Sequence, residues 1–110
     1  METLFREGKA FSVFPYRVVY HITVLSDTAA PAQVCFSVPK KYHRRAVDRN
    51  RIKRLTREAY RLRKNGLYAV LQERKVQLAF CLVYTDKKIH PFSFLSAKIS
   101  VILKRLAEAV

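Results

Sequence analysis

The sequence predicts an α+β fold, a two-layer sandwich of a small sheet and helices. Three observations predict it. Runs rich in β-branched and aromatic residues occupy 16–25, 33–38 and 76–85. Apolar residues at helical spacing follow in 46–64 and 94–108. The order strand, strand, helix, strand, helix holds no repeat, low-complexity tract or linker. At 110 residues, half of them hydrophobic and 12% aromatic, the chain suits one domain over 1–110 with a packed core.

Taken in order, residues 2–7 read as a short helix or the end of a longer one, stopped near Gly8. "YRVVYHITVL" is a strand, "SDTAAPA" a turn or loop, and "QVCFSV" a second strand ended by Pro39. Lys40–Arg45 lead into a helix over 46–64, for which Asn65-Gly66 is the expected stop, with 67–74 adding a further turn or two. "VQLAFCLVYT" is the third long strand, followed by the loop "DKKIHP". Ser93 is the expected cap of a last helix whose Leu95, Ile99, Ile102 and Leu106 make one apolar stripe.

Alternation gives the strands two faces. Val18, Tyr20, Ile22 and Val24, with Val34, Phe36, Val38, Leu78, Phe80 and Leu82, form the expected core face. Arg17, Val19, His21, Thr23, Cys35, Ser37, Ala79 and Cys81 form a smaller, more polar face. That second face reads either as half-exposed or helix-covered sheet, or as a shallow cleft for a ligand.

The charge is unevenly placed. Net charge is +14, and residues 40–64 hold twelve Lys or Arg against Asp48 and Glu58, so this quarter of the chain carries +10 of it. Such localisation reads as a surface for a polyanion, nucleic acid foremost and an anionic membrane second. At 100° per residue, Asp48, Ile52, Leu55, Ala59 and Leu62 share one side, and apart from Asp48 at the entrance they form the expected core stripe. Asn50, Lys53, Arg57, Arg61 and Lys64 fall opposite, flanked by Arg49, Tyr60 and Arg54. Arg51 lies beside the stripe, its stem expected to pack and its head to turn sideways. From Arg49 to Arg61 the ridge is about 18 Å long, enough for several phosphates.

Four readings of this helix compete: a solvated charged face, a membrane-surface helix, a DNA-reading basic region and an RNA-binding ridge. One-sided charge disfavours the first, the narrow stripe without large aromatics the second, and the absence of a following zipper the third. RNA is favoured.

Other classes fit poorly. No apolar run approaches the roughly 18 residues of a membrane span, and "METLFREGKAF" lacks the apolar region of a signal peptide. Cys35 and Cys81 show no metal spacing and read as buried, reduced thiols of a cytoplasmic protein. The histidines, His21, His43 and His90, are scattered, and each reads as a surface or RNA-contacting residue rather than a general base. The acids form no tight pair, and two glycines cannot build a phosphate-cradling loop. Catalysis by the protein's own side chains is therefore not expected.

"AVDRNRIKRLTREAYR", preceded by "FSVPKK" and, further upstream, by "LFREGKAF", resembles the signature of the bacterial ribonuclease P protein component. The resemblance runs in order through 1–64 and continues weakly to the last helix. It implies an RNA-binding subunit of the endoribonuclease that removes the 5′ leader of precursor tRNA. The RNA subunit, with Mg²⁺, would carry the chemistry, and no obligate protein partner is implied. It also implies a ribosomal-protein-S5-domain-2-like sandwich with a left-handed βαβ crossover around the basic helix, against the usual right-handed rule.

By resemblance, Arg49, Asn50, Arg51 and Arg54, together with Lys40, Lys41, Arg44, Arg45 and Arg61, would meet the catalytic RNA. Phe5, Arg17, Val19, His21, Lys53 and Arg57 would line or edge a cleft for the leader, with Phe5 stacking on a base. The chain departs from the family in three places. It carries less of the first helix, as if truncated at its N-terminus. His43 stands where glycine is usual, in an approach to the helix that is one residue longer. Val19 replaces a common aromatic.

Overall fold

A computed structural model describes residues 8–24 and 31–110. The expected helix at 2–7, with Phe5, and most of the loop at 26–32 lie outside the described residues, as does the side chain of Val24. Four strands and two helices follow in chain order: β1 (Lys9–Val13), β2 (Tyr16–Val24), β3 (Ala32–Ser37), α1 (Ala46–Arg74), β4 (Val76–Tyr84) and α2 (Phe92–Ala109). The strands form one sheet in the order β1-β2-β4-β3. β1–β2 and β2–β4 are antiparallel, whereas β3 and β4 are parallel neighbours joined through α1.

Register follows the alternation read from the sequence. Val18 pairs with Leu82, Tyr20 with Phe80 and Ile22 with Leu78, while Val34 and Phe36 pair with Phe80 and Leu82 from the other side. Val18, Leu78, Phe80 and Leu82 are fully buried, and Tyr20, Ile22, Val34 and Phe36 pack at the margin of the same core. Both helices lie over this face and against each other. Leu95, Ile99, Ile102 and Leu106 of α2 are all buried, so the expected stripe is the real one.

Four details differ from expectation. β1 was not anticipated: "KAFSV" is short and edge-placed, with only Phe11 and Val13 turned to the core. A turn at Phe14-Pro15, whose peptide bond is cis, joins it to β2. α1 does not stop at Asn65-Gly66 but runs to Arg74, where Lys75 adopts the left-handed conformation (φ 57°, ψ 42°) that ends it. A mid-helix glycine costs roughly 1 kcal/mol, and burying Leu67 and Leu71 beyond it outweighs that. α2 begins at Phe92 rather than at 94, so Pro91 and not Ser93 holds the N-cap position, without a side-chain hydrogen bond.

The buried stripe of α1 is also rotated from the expected one. Ile52, Thr56, Ala59, Tyr60, Leu67 and Leu71 are buried, Leu55 is at the margin, and Leu62 is 55% exposed. Tyr60, placed on the polar side by the wheel, is instead a core residue. Its ring meets Phe36 and Phe80 edge-on at 6.0 and 5.8 Å. Thr56 goes inward because its hydroxyl hydrogen-bonds Tyr16 Oη at 2.7 Å. Buried polar atoms that find such partners sit in a core at little cost.

Candidate nucleic-acid interface

The topology gathers one set of loops at one end of the sheet. β3 and β4 run parallel and both finish there, and the β1–β2 turn lies at the same end, since Tyr16 pairs with both Val13 and Tyr84. The segment 38–45, the start of α1, the loop 85–91 and the start of α2 therefore converge. Basic residues of the sequence signature stand on these loops and on the helix leaving them.

The path into α1 is tightly held. The backbone N–H groups of Tyr42 and His43 donate to the carbonyl of Pro39. His43 is buried rather than exposed; its Nε2 is 2.8 Å from the Asp86 carbonyl oxygen and its ring lies 5.8 Å from that of Tyr84. It therefore fastens segment 38–45 to loop 85–91 and is not a surface contact. Arg49 donates through one Nη to the carbonyls of His43 and Arg44, at 3.0 and 2.7 Å. It closes the turn from behind. Lys40, Lys41, Arg44 and Arg45 are left exposed on the outside of the turn, with Lys41 Nζ 5.0 Å from the Tyr42 ring centre.

Along α1 the basic side chains divide into two groups. Some are engaged by the protein. Besides Arg49, Arg61 forms an exposed ion pair with Glu58, and the Arg63 Nε donates to Ser96 Oγ on α2 at 2.9 Å. The Arg61 guanidinium holds the Glu58 carboxyl below the usual carboxylate range. Arg57 and Lys64 lie over the rings of Phe36 and Tyr68, at 5.7 and 5.5 Å. Arg51, Lys53 and Arg54 have no hydrogen bond or ion pair among the described residues, and Asn50 is exposed beside them. Arg51 is openly exposed rather than packed sideways as expected. Of these three unneutralised cations, Arg51 and Arg54 are three positions apart on one helix face and repel by a few tenths of a kcal/mol. A phosphate would relieve that strain.

The second sheet face carries a recess of about 350 Å³ lined by Gly8, Ala10, Arg17, Val19 and Val83. A separate recess of about 260 Å³, at the β1–β2 edge, is lined by Lys9, Tyr20, His21 and Ile22, residues of both faces. Val19 and Cys81 are buried beneath this face with Cys35 and Val83 against them. Burial pushes the Cys81 thiol up to about 12. Cys35 is half-buried rather than buried, and both thiols are free. Arg17, Val19 and His21 share this sheet face, as the alternation predicts, but only Arg17 and Val19 line the larger recess. Lys53 and Arg57 are not among the lining residues: Arg57 sits over Phe36, on the helix-covered side of β3.

Sequence reading missed one paired cluster here. His90 Nε2 lies 2.6 Å from Asp86 Oδ2, and this contact holds the Asp86 carboxyl below its ordinary range. The i, i+4 spacing of Asp86 and His90 was the available signal. The acids offer no evident Mg²⁺ site among the described residues: Glu58 and Asp86 are already paired, and no three acidic, His or Cys side chains stand together. None of the helices among the described residues is long and apolar enough to cross a membrane.

A family model described as Ribonuclease P matches residues 2–107. The ribonuclease P protein component of Porphyromonas gingivalis is 43% identical over 107 residues, spanning 97% of this chain and 77% of that protein. The RNase P protein of Staphylococcus aureus superposes with a TM-score of 0.72 at 18% identity, over 96% of this chain and 86% of that one. The RNase P protein of Thermotoga maritima gives 0.71 at 21%, over 94% and 88%. At these identities the two structures speak for the fold.

Proposed function

Because the chain belongs to the ribonuclease P protein family, and so to the processing of tRNA 5′ ends, we propose that it acts by binding two RNAs: the catalytic RNA of the ribonucleoprotein and the 5′ leader of precursor tRNA. The observation that carries this is the trio Arg51, Lys53 and Arg54, unpaired on a helix whose other half is core. Phosphate contacts fix position without reading sequence, which suits a scaffold for a ribozyme.

In this reading Asn50, Arg51 and Arg54 dock on the catalytic RNA, joined by Lys40, Lys41, Arg44 and Arg45 at the helix entrance. Arg49 acts from behind, holding that entrance in shape. Arg61 contributes less, since Glu58 already neutralises it. The leader lies along the sheet face that carries Arg17, Val19 and His21, with Phe5 as a stacking partner. Lys53 and Arg57 attract its phosphates toward the β3 edge. Mg²⁺ and the hydrolytic step belong to the RNA subunit, and the protein's part is position and charge. Residues 1–110 act as one domain, in the cytoplasm, with no obligate protein partner.

The test is reconstitution. Mixed with a bacterial ribonuclease P RNA and precursor tRNA at low Mg²⁺, the chain should restore leader cleavage that the RNA alone does not perform. Absence of rescue, together with tight binding to unrelated duplexes, would count against the reading.

A further inference from the structure

The sheet end that sets the α1 entrance also carries a column of rings that the α1 ridge does not include. Phe14 occupies the β1–β2 turn and is 58% exposed, the one aromatic among the exposed large apolar side chains described. Its ring meets His90 edge-on at 5.6 Å. His90 in turn stacks on Phe94 at 4.6 Å, with 26° between the planes. Lys98 Nζ stands 5.2 Å from the Phe94 ring centre. His90 is fixed in place by Asp86, so the column is ordered without a ligand. Lys87 and Lys88, both exposed, lie in the loop that delivers His90.

Packing accounts for His90 and Phe94, which are partly buried. It does not account for Phe14, since a small or polar turn residue would leave the His90–Phe94 stack intact. Exposed rings among cations are what unpaired nucleic acid binds: a base covers the ring and the ammonium groups meet the phosphates.

Resting on the RNA-binding reading above, we infer that Phe14, backed by His90 and Phe94 with Lys87, Lys88 and Lys98 nearby, is a stacking site for one unpaired base, separate from the α1 ridge. The base comes from the catalytic RNA or from precursor tRNA. Phe14 makes the contact, and His90 is a positioning residue.

The experiment compares full-length Phe14→Ala, Phe14→Leu and Phe14→Trp with Arg51→Ala/Arg54→Ala. One arm measures binding to a bacterial ribonuclease P RNA; the other measures binding of precursor tRNA to the assembled particle. Alanine and leucine should each weaken one arm about tenfold, tryptophan should restore it, and the unfolding midpoint and salt dependence should stay put. Loss in the first arm assigns the base to the catalytic RNA, and loss in the second to the precursor. If leucine binds like wild type, the contact is not stacking and the inference fails. It fails also if neither arm moves while the arginine pair weakens binding, or if Phe14→Ala changes only self-association by sedimentation. Should the arginine pair have no effect either, the underlying RNA-binding reading falls with it.

Discussion

α1 and α2 lie side by side over the same face of one sheet, and their inner halves are alike. Ile52, Ala59, Leu67 and Leu71 match Leu95, Ile99, Ile102 and Leu106, all buried. Their outer halves are not alike. α1 carries nine Lys or Arg against three acids, α2 three against one. The inner half of each helix sets where it sits, and this leaves the outer half open to selection for something else. In α1 that something is an excess of positive charge that the protein only partly neutralises.

If that division is right, the inner halves should respond alike. Ile52→Ala and Ile99→Ala should each lower the unfolding free energy by about 2–5 kcal/mol, read from urea melts. A much smaller loss at Ile52 would mean that α1 is held by something other than its apolar stripe.

The next contrast lies within α1, between engaged and open cations. Arg49→Ala removes a charged donor from two loop carbonyls and should cost about 1–3 kcal/mol. Arg61→Ala breaks only an exposed, solvent-screened pair and should leave the unfolding midpoint close to that of the wild type. Equal losses at the two sites would erase the distinction between a buttress and a surface charge.

Gly66→Ala sharpens the comparison from another direction. A Cβ at Gly66 meets nothing within 4 Å, and its φ is not positive. Alanine should therefore stabilise the protein by roughly 0.5–1 kcal/mol. Destabilisation would instead indicate the helix stop that Asn65-Gly66 suggests in the sequence.

The smallest effect concerns loop 85–91. Asp86 has its carboxyl held below the ordinary value, first by the hydrogen bond from His90. Its contribution is present above the ordinary carboxylate value and is lost as pH falls through the depressed one. The stability gap between wild type and Asp86→Asn should stay constant down to about pH 4 and close below it. A gap unchanged into stronger acid would separate Asp86 from the stability of this loop.

Much of this architecture is written locally and is legible. The alternation in 16–25 and 76–85 fixes strand, face and register together, because a slip by one residue would turn every core side chain outward. The stripe of α2 is equally plain. What the sequence hides depends on distant partners. Tyr60 and Leu62 exchange inside and outside because Phe36 and Phe80 offer Tyr60 two ring edges and Tyr16 draws Thr56 inward. His43 is buried because Asp86, 43 positions later, presents a carbonyl. β1 is too short to announce itself. For the interface, the basic ridge and the polar sheet face are legible as residue sets. Which cations remain unpaired is not, since that is decided by Glu58, Ser96 and two backbone carbonyls.

The central claim is that Arg51 and Arg54 are open phosphate ligands on a helix otherwise committed to the core. Its most direct test is the salt dependence of binding to a bacterial ribonuclease P RNA. With roughly 4–6 phosphates engaged, log K should fall with log salt at a slope of about −3 to −5. Arg51→Ala/Arg54→Ala should shrink that slope by about 2 while moving stability by no more than about 0.5 kcal/mol. An unchanged slope in the double variant, or a nearly flat one in the wild type, would contradict the account.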